Sequence, residues 1–291
     1  MTNSTICTQL QTQLSALQKD ILHAQKMYAT FSEHPNQVNW EQARSIVQKV
    51  QKEKEALMTT YKEQVYTFME KWSKRLMREQ AEHLLSNMEI ADDGKVSITI
   101  NSKIEVVYPD FHNYNYEFPS IINKVKGKGV LSINNVFGKP VILTGLEEVE
   151  GELRLEAAVG LRLESSITNV FLSRLCSVGR LHLFGVGHCS APLLKSASEI
   201  IISRDSESFD APELEIVQNH FHTRTKVIHC PRLTKMGNIM DMAGLDTPFR
   251  EAFPLLKTIP PLSECTISNN ILSQIKELIA QGLLRESSEE W

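Results

Sequence analysis

The sequence is short of cysteine, and the cysteines it has are odd in number and widely spaced. The five residues are Cys7, Cys176, Cys189, Cys230 and Cys265. A small disulfide scaffold needs a dense, even set of cysteines, so this pattern excludes that class and favours a reducing compartment. We therefore expect cytoplasmic residence. An effector secreted into another cell has the same composition, so that alternative stays open.

Long apolar runs and an excess of either charge are also missing. No window reaches the roughly 18 uninterrupted apolar residues of a membrane span, and the start MTNSTICTQL lacks the basic and apolar regions of a signal peptide. The 31 basic and 35 acidic residues give a net charge of −4. Such a balance supplies no electrostatic attraction to nucleic acid or to an anionic membrane. We expect neither partner, and no membrane span.

Proline and glycine are absent from residues 40 to 88, where the apolar spacing is helical. A heptad pattern precedes this stretch, and Pro35 separates the two. The sequence therefore predicts an antiparallel helical hairpin over residues 1–90. The heptad residues are Leu10, Leu14, Leu17, Ile21, Ala24, Tyr28 and Phe31.

Beyond residue 90 the hydrophobic period changes from helical to alternating. The segments KVSITI and SKIEVVY predict a β-hairpin. A weak repeat follows, in which Leu175, Leu194, Leu214 and Leu233 begin segments 19, 20 and 19 residues apart. A proline stands two residues before the leucine in several copies, at Pro192, Pro212, Pro231 and Pro254. Proline fixes a turn and cannot donate to a strand ladder, so it marks a corner between successive coils.

The alternation LRL at 153–155 and LHL at 181–183, with the short period and a Leu-x-x-Val-x-Gly turn, resembles the degenerate leucine-rich-like repeats of bacterial proteins. The resemblance covers residues 118 to 257 and implies a parallel β-solenoid that binds through its exposed sheet, with no catalytic residues to transfer. The expected fold class is α+β. Its parts are a helical hairpin (1–90), a leucine-rich-repeat-like β-solenoid (91–262), and a C-terminal capping helix with a tail (263–291).

The longer second helix leaves its last 20 or so residues, including Phe68 and Trp72, without a partner in the first helix. They can cap the solenoid, form a homodimer through the N-terminal helices, or bind another protein. On the strands, alternation places Arg154, Arg180, His182, His220 and His222 on one sheet face. We interpret these five residues as a polar recognition strip.

Catalytic and metal patterns are weak. No Gly-x-Ser-x-Gly elbow is present, and the basic NKVKGKG segment lacks the phosphate-loop pattern. The pairs His188-Cys189 and His229-Cys230 lie two coils apart, too far for one zinc ion. We expect no cofactor, no metal and no catalytic residue.

The leading hypothesis is a non-catalytic scaffold that binds a protein partner through the strip, the hairpin, or both. Two alternatives remain: an effector or enzyme that uses histidines as general acids and bases, and a self-assembling structural protein.

Overall fold

The computed structural model describes residues 3–31, 37–74, 76–108, 118–135, 140–157, 168–203, 206–237 and 239–287. The chain divides into two compact units, one of residues 1–98 with 119–123 and one of residues 99–118 with 124–291. Five helices and a large, mostly parallel sheet occur in the described residues, so the fold class is α+β. The helices are α1 Asn3–Phe31, α2 Gln37–Ser73, α3 Arg78–Ser86, α4 Phe249–Ala252 and α5 Asn269–Ala280.

The described residues form nineteen strands, most of which belong to the second unit. In chain order they are β1 Met88–Ile90, β2 Val96–Thr99, β3 Lys103–Tyr108, β4 Ile122–Lys126, β5 Val130–Asn135, β6 Val141–Ile142, β7 Glu148–Ala157, β8 Thr168–Phe171, β9 Ser177–Phe184, β10 Val186–Ser190, β11 Ser196–Ile202, β12 Ser208–Asp210, β13 Ile216–Thr223, β14 Val227–His229, β15 Lys235–Met236, β16 Ile239–Met242, β17 Thr258–Ile259, β18 Cys265–Ile267 and β19 Arg285–Glu286.

Helices α1 and α2 pack against each other in the first unit. The heptad positions Leu14 and Ile21 are buried on α1, and Tyr61 and Val65 are buried on α2. These are positions that the apolar spacing predicts for the packed face. The Tyr61 hydroxyl also donates to the carbonyl of Gly94 at 2.8 Å, which fixes the turn after β1.

The prediction of one unbroken helix from Trp40 to about Met88 is wrong, because α2 ends at Ser73 and α3 begins at Arg78. At this break the Ser73 hydroxyl donates to the Glu70 carbonyl at 3.1 Å, and the Leu76 amide donates to the Ser73 carbonyl. Serine side chains that bond to the backbone in this way compete with the helical pattern. A helix can therefore end without proline or glycine.

The predicted hairpin of β2 and β3 is also wrong. β2 pairs with β1 in antiparallel fashion, and β3 pairs in parallel with β5 over its full length. The alternation of apolar residues identifies both strands correctly. It carries no information about pairing partners, because any strand with one buried face shows the same period of two.

Two parallel sheets form the body of the second unit. The first contains β7, β9, β11 and β13 as neighbours in that order, and the second has the order β14, β12, β10, β8, β6. Strands of the two sheets alternate along the chain, and each pairs in parallel with the strand about 20 to 30 residues before it. Between the sheets lie buried side chains, among them Leu153, Leu155, Leu181, Leu183, Ile200, Phe221, Val170, Cys189, Phe209 and Ile228.

The repeated prolines stand in tight turns, as the sequence predicts. In four successive corners the leucine amide donates to the carbonyl three residues earlier, as Leu194 does to Ala191 at 3.1 Å and Leu214 to Ala211 at 3.1 Å. Pro192 and Pro212 occupy the second position of these turns, where the fixed φ of proline is favourable. Each proline therefore sets the direction in which the chain enters the first sheet.

Two glycines allow the backbones of neighbouring strands in the first sheet to approach closely. A Cβ atom on Gly151 would overlap the carbonyl oxygen of Gly129, and one on Gly179 would overlap the carbonyl oxygen of Glu150. The register between β7 and β9 shifts beside these positions, between Val149 and Glu152. Gly151, the glycine of the Leu-x-x-Val-x-Gly pattern, and Gly179 are thus required by the bend between the two halves of β7 and β9.

The C-terminal helix predicted within residues 263–291 is α5, whose first turn is capped by the Ser268 side chain, which accepts a hydrogen bond from the Ile271 amide. It contacts α4, and the Gln274 side chain accepts from the Phe249 amide at 2.8 Å. Ile271 and Ile275 form its buried face. None of the helices in the described part of the chain combines the length and the apolar composition that crossing a membrane requires.

Candidate recognition strip on the first sheet

Strand register brings the five predicted strip residues onto one face of the first sheet. Glu152, Arg180, Glu199 and His220 lie side by side on β7, β9, β11 and β13. Two residues further along the strands, Arg154, His182, Ile201 and His222 form a second row, which continues to Asp241 on β16. Alternate residues of a strand share a face, so both rows project to the same side.

Carboxylates pair with the cationic side chains across these rows. Arg154 Nε lies 2.7 Å from Glu152 Oε1, and Arg180 Nε lies 3.0 Å from Glu199 Oε2. Glu199 also approaches the imidazole of His220, with Oε1 3.4 Å from Nδ1. Pairs of opposite charge on neighbouring strands stabilise a sheet and fix side-chain directions.

A fourth pair extends the strip towards β16, where His222 Nδ1 lies 2.9 Å from Asp241 Oδ2. On the opposite side Arg154 Nη1 lies 3.6 Å from Glu156 Oε1. Arg154 also stands over the ring of Phe184, with its guanidinium carbon 5.9 Å from the ring centroid. The strip therefore carries three groups of paired polar side chains on the face of the first sheet from β7 to β16, with Ile201 between the two outer groups.

The carboxylates lie deeper than the cations they pair with. The side chains of Glu152, Glu199 and Asp241 are 8, 16 and 13 % exposed. Those of Arg180, His220 and His222 are 60, 43 and 34 % exposed. Each acid thus serves as a buried anchor, and the surface that solvent meets is formed mainly by arginine and histidine.

His182 differs from the other members because it is almost fully buried. Its Nδ1 lies 3.0 Å from Glu152 Oε1, which is also the acceptor for Arg154, and neither ring nitrogen has a well-aligned hydrogen bond within the described residues. Burial lowers the pKa of His182; Glu152 and Glu199 oppose this shift, and Arg154 and Arg180 reinforce it. A neutral imidazole is therefore favoured beneath the two arginines.

Alternation along the strands predicts the arginine and histidine residues of the strip but does not predict the carboxylates with which they pair. Glu152, Glu199 and Asp241 were overlooked because acidic residues on a strand are ordinary surface residues when taken singly. A signal was present: when the repeats are aligned on Leu146, Leu175, Leu194 and Leu214, a charged residue or histidine follows five or six positions later in each copy. The acids and bases alternate from one copy to the next.

The two aromatic residues predicted on the N-terminal helices lie on α2, in the first unit. Phe68 is half-buried, whereas Trp72 is 6 % exposed and has almost no surface to offer a partner. The sequence placed Phe68 and Trp72 in the part of the helix that extends past the first helix and predicted both as partner-binding. The burial of Trp72 in the described structure leaves Phe68 as the more accessible of the two.

The second sheet carries another histidine group, which the sequence analysis considered only for zinc. His188 Nδ1 lies 2.7 Å from Ser208 Oγ, and His188 Nε2 lies 3.2 Å from Glu207 Oε2. On the next strand His229 Nδ1 lies 2.7 Å from Asp210 Oδ1. These histidines are more than half exposed, whereas the adjacent Cys189 and Cys230 are buried.

Burial raises the pKa of Cys189 and of Cys230 far above that of a free thiol, so both stay in the protonated, unreactive form. In the described residues no group of three or more histidine, cysteine, aspartate or glutamate side chains is arranged to hold a metal ion.

Near the start of the first sheet, the NKVKGKG segment forms a turn around Gly127, which has a φ of 87°. Lys124 Nζ lies 3.0 Å from both Glu148 and Glu150, and Glu150 accepts from the Gly127 amide. Hydrogen bonds to Glu150 and Glu148 raise the pKa of Lys124, and the Gly127 amide lowers that of Glu150. Lys124 is thus engaged by carboxylates; it lies on β4 with Asn123, Val125 and Lys126, so the interpretation of the whole segment as an exposed turn is wrong, and only residues 127–129 turn.

Comparison with known proteins adds no functional information: no protein-family model, no curated protein and no solved structure matches the chain.

Proposed function

We propose that the chain is a protein-binding scaffold whose recognition surface is the strip on the first sheet, formed by Arg154, Arg180, His182, His220 and His222. In this proposal residues 91–262 form a leucine-rich-repeat-like β-solenoid, α5 caps its last coil, and α1 and α2 form a helical hairpin. Strands that alternate between two parallel sheets support the solenoid. The proposed setting is the cytoplasm of the producing cell or of a cell that receives the protein as an effector.

One observation carries the proposal: β7, β9 and β13 hold arginine and histidine side chains in place over carboxylates that are less exposed than they are. Side chains that are already oriented lose little conformational entropy when a partner binds, so preorganised surfaces gain affinity. Arginine is also enriched at the residues that dominate binding energy in protein interfaces. Exposed side chains that served only solubility would not need such anchoring.

The proposal is tested by affinity capture from the native cells with three tagged forms: wild type, Arg180→Glu and Arg232→Glu. Arg232 is the matched control, because it is a half-exposed arginine paired with one acid, Glu213, at a corner away from the strip. We expect a defined set of proteins to be lost with Arg180→Glu and kept with Arg232→Glu. Identical sets from all three forms would contradict a role for the strip.

A specific observation favours a second candidate, a serine hydrolase on the second sheet. The imidazole of His188 can accept the Ser208 proton at Nδ1 while Glu207 holds Nε2. We rank it second because these groups are half exposed, and water weakens electrostatic stabilisation of a developing charge. Labelling of Ser208 by a fluorophosphonate probe, lost in His188→Ala, would support it; no labelling of the wild type would exclude it.

A further inference from the structure

The depth of the charges on the strip indicates the chemistry of its partner. In four of the pairs, Arg154–Glu152, Arg180–Glu199, His220–Glu199 and His222–Asp241, the carboxylate is the less exposed member. A partner that approaches this face over these pairs first meets the hydrogen-bond donors of arginine and histidine side chains. Resting on the proposed function, we infer that the strip binds an acidic, carboxylate-rich segment of a protein partner.

The donors of the strip remain available after the internal pairs have formed. Arg180 contacts Glu199 through Nε, which leaves the two terminal nitrogens of its guanidinium group for another acceptor. His222 contacts Asp241 through Nδ1, which leaves Nε2. Guanidinium groups bind carboxylates with two parallel hydrogen bonds, so Arg180 is the strongest single anchor for an acidic side chain.

Spacing also suits a protein ligand. Arg180 and His220 lie two strands apart, on β9 and β13, which corresponds to about 10 Å between their backbones. Side chains on one face of an extended peptide recur about every 7 Å, and flexible glutamate side chains cover the difference. Two acidic residues of one extended segment can therefore reach both anchors.

Nucleic acid fits this surface less well. Glu105 and Glu156 are about one-third exposed and flank the cations on the β3 and β7 side. A phosphate backbone carries a charge at every nucleotide and is bound by extended basic surfaces, which these acids interrupt. An acidic peptide can place neutral residues opposite them.

Fluorescence anisotropy tests the inference with three labelled probes: a glutamate-rich dodecapeptide, a lysine-rich dodecapeptide and a single-stranded oligonucleotide. Each is titrated with the full chain and with the variants Arg180→Gln and Arg232→Gln, after equal melting temperatures have shown that all three forms are folded. We expect the glutamate-rich peptide to bind and Arg180→Gln to weaken it about tenfold, the effect of losing a charge-assisted hydrogen bond. Arg232→Gln should leave the affinity unchanged.

The other outcomes separate this inference from the proposed function. No binding of the glutamate-rich peptide, tighter binding of the lysine-rich peptide, or equal loss in both variants would overturn the acidic partner. A scaffold whose captured proteins depend on Arg180 would still stand in those cases. Preferential binding of the oligonucleotide, lost in Arg180→Gln, would overturn both and indicate a nucleic-acid-binding surface.

Discussion

The two parallel sheets of the second unit both carry histidine and carboxylate pairs on their outer faces, but the pairs lie at different depths. On the first sheet His222 pairs with Asp241, whose side chain is 13 % exposed. On the second sheet His229 pairs with Asp210, whose side chain is 46 % exposed. The strands differ too: β13 has eight residues, whereas β12 and β14 have three each.

Strand length accounts for the depth of Glu152 and Glu199, which lie on the ten-residue β7 and the seven-residue β11, although Asp241 lies on the four-residue β16. Long strands in register place several rows of side chains against one another, so that neighbours cover the acids of the inner row. Short strands provide too few neighbouring side chains to cover the acids, so the charged pairs on them remain exposed to solvent. Two surfaces with the same residue types therefore have different properties: one is held rigidly, and the other is solvated and weakly coupled.

The largest effect is expected where the two sheets share a core. Phe221 on β13 and Phe209 on β12 are both fully buried. Replacing either with alanine should lower the free energy of unfolding by about 3–5 kcal/mol, the usual cost of removing a buried aromatic ring. Urea denaturation followed by circular dichroism measures this. Phe171→Ala, at a partly exposed position on β8, is the control. A large loss for only one buried phenylalanine would show that the sheets do not depend equally on this core.

A smaller effect is expected at the close approach that only the first sheet requires. Gly179→Ala places a Cβ atom against the Glu150 carbonyl and should cost about 1–3 kcal/mol, as overpacking does. Ser198→Ala is the matched control, because Ser198 lies opposite Gly179 on β11 and already carries a Cβ atom. Thermal unfolding of both variants tests the prediction. Equal melting temperatures would mean that the backbones separate without cost.

The pH dependence of stability should distinguish the buried histidine from an exposed one. Burial lowers the pKa of His182 in the folded state below its ordinary value of 6.5, so the unfolded chain binds the proton more readily. The stability that neutral His182 contributes is therefore present above about pH 6.5 and is lost as the pH falls below it. Wild type should lose stability between pH 7.5 and 5.5, and His182→Gln should lose less.

His188→Gln is the control for this comparison, because His188 is half exposed on the second sheet. Its stability is measured by urea denaturation at the same pH values, so that the effect of removing a histidine elsewhere can be compared with that of His182→Gln. A His182→Gln profile parallel to the wild type would contradict a stabilising role for neutral His182.

The smallest effect is expected for an exposed pair. Asp210→Asn removes the partner of His229 and should change stability by no more than about 1 kcal/mol, as for other solvated ion pairs. Asp241→Asn should cost more, since this acid is buried beneath His222. The two variants can be compared in one urea series. If they cost the same, depth has no energetic consequence and the contrast between the sheets is only geometric.

Local sequence patterns predict much of this architecture, and particular residues show which features they do not predict. Leu153, Leu155, Leu181 and Leu183 were predicted to be core and are buried. The prolines at the corners were also identified, because turn preferences depend on a few neighbouring residues. The end of α2 at Ser73 and the pairing of β3 with β5 were missed. The end of α2 depends on a hydrogen bond from the Ser73 side chain to the backbone, and the pairing of β3 depends on a strand 27 residues further along the chain. Neither feature produces a periodic pattern in the sequence.

The candidate site also has features that local patterns predict and features that they do not. Alternation along each strand was enough to place Arg154 and His182 on the same side as Arg180 and His220. Which acid meets which base depended on register shifts, such as the one between Ala197 and Glu199 that sets Glu199 beside His220. One extra residue in β13 changes every pairing beyond it, and the repeat spacing does not show on which strand that residue lies.

By itself, the sequence determined the class of the fold, the course of the strands and the residues that face outward. These properties follow from periods of two and 3.6 residues and from the restricted backbone of proline, which act over a few residues. Only the tertiary structure decided the depth of each charge. Depth depends on which neighbours stack above and below, and on this chain it buries Glu152, Glu199 and His182 and leaves Arg180 and His220 facing solvent.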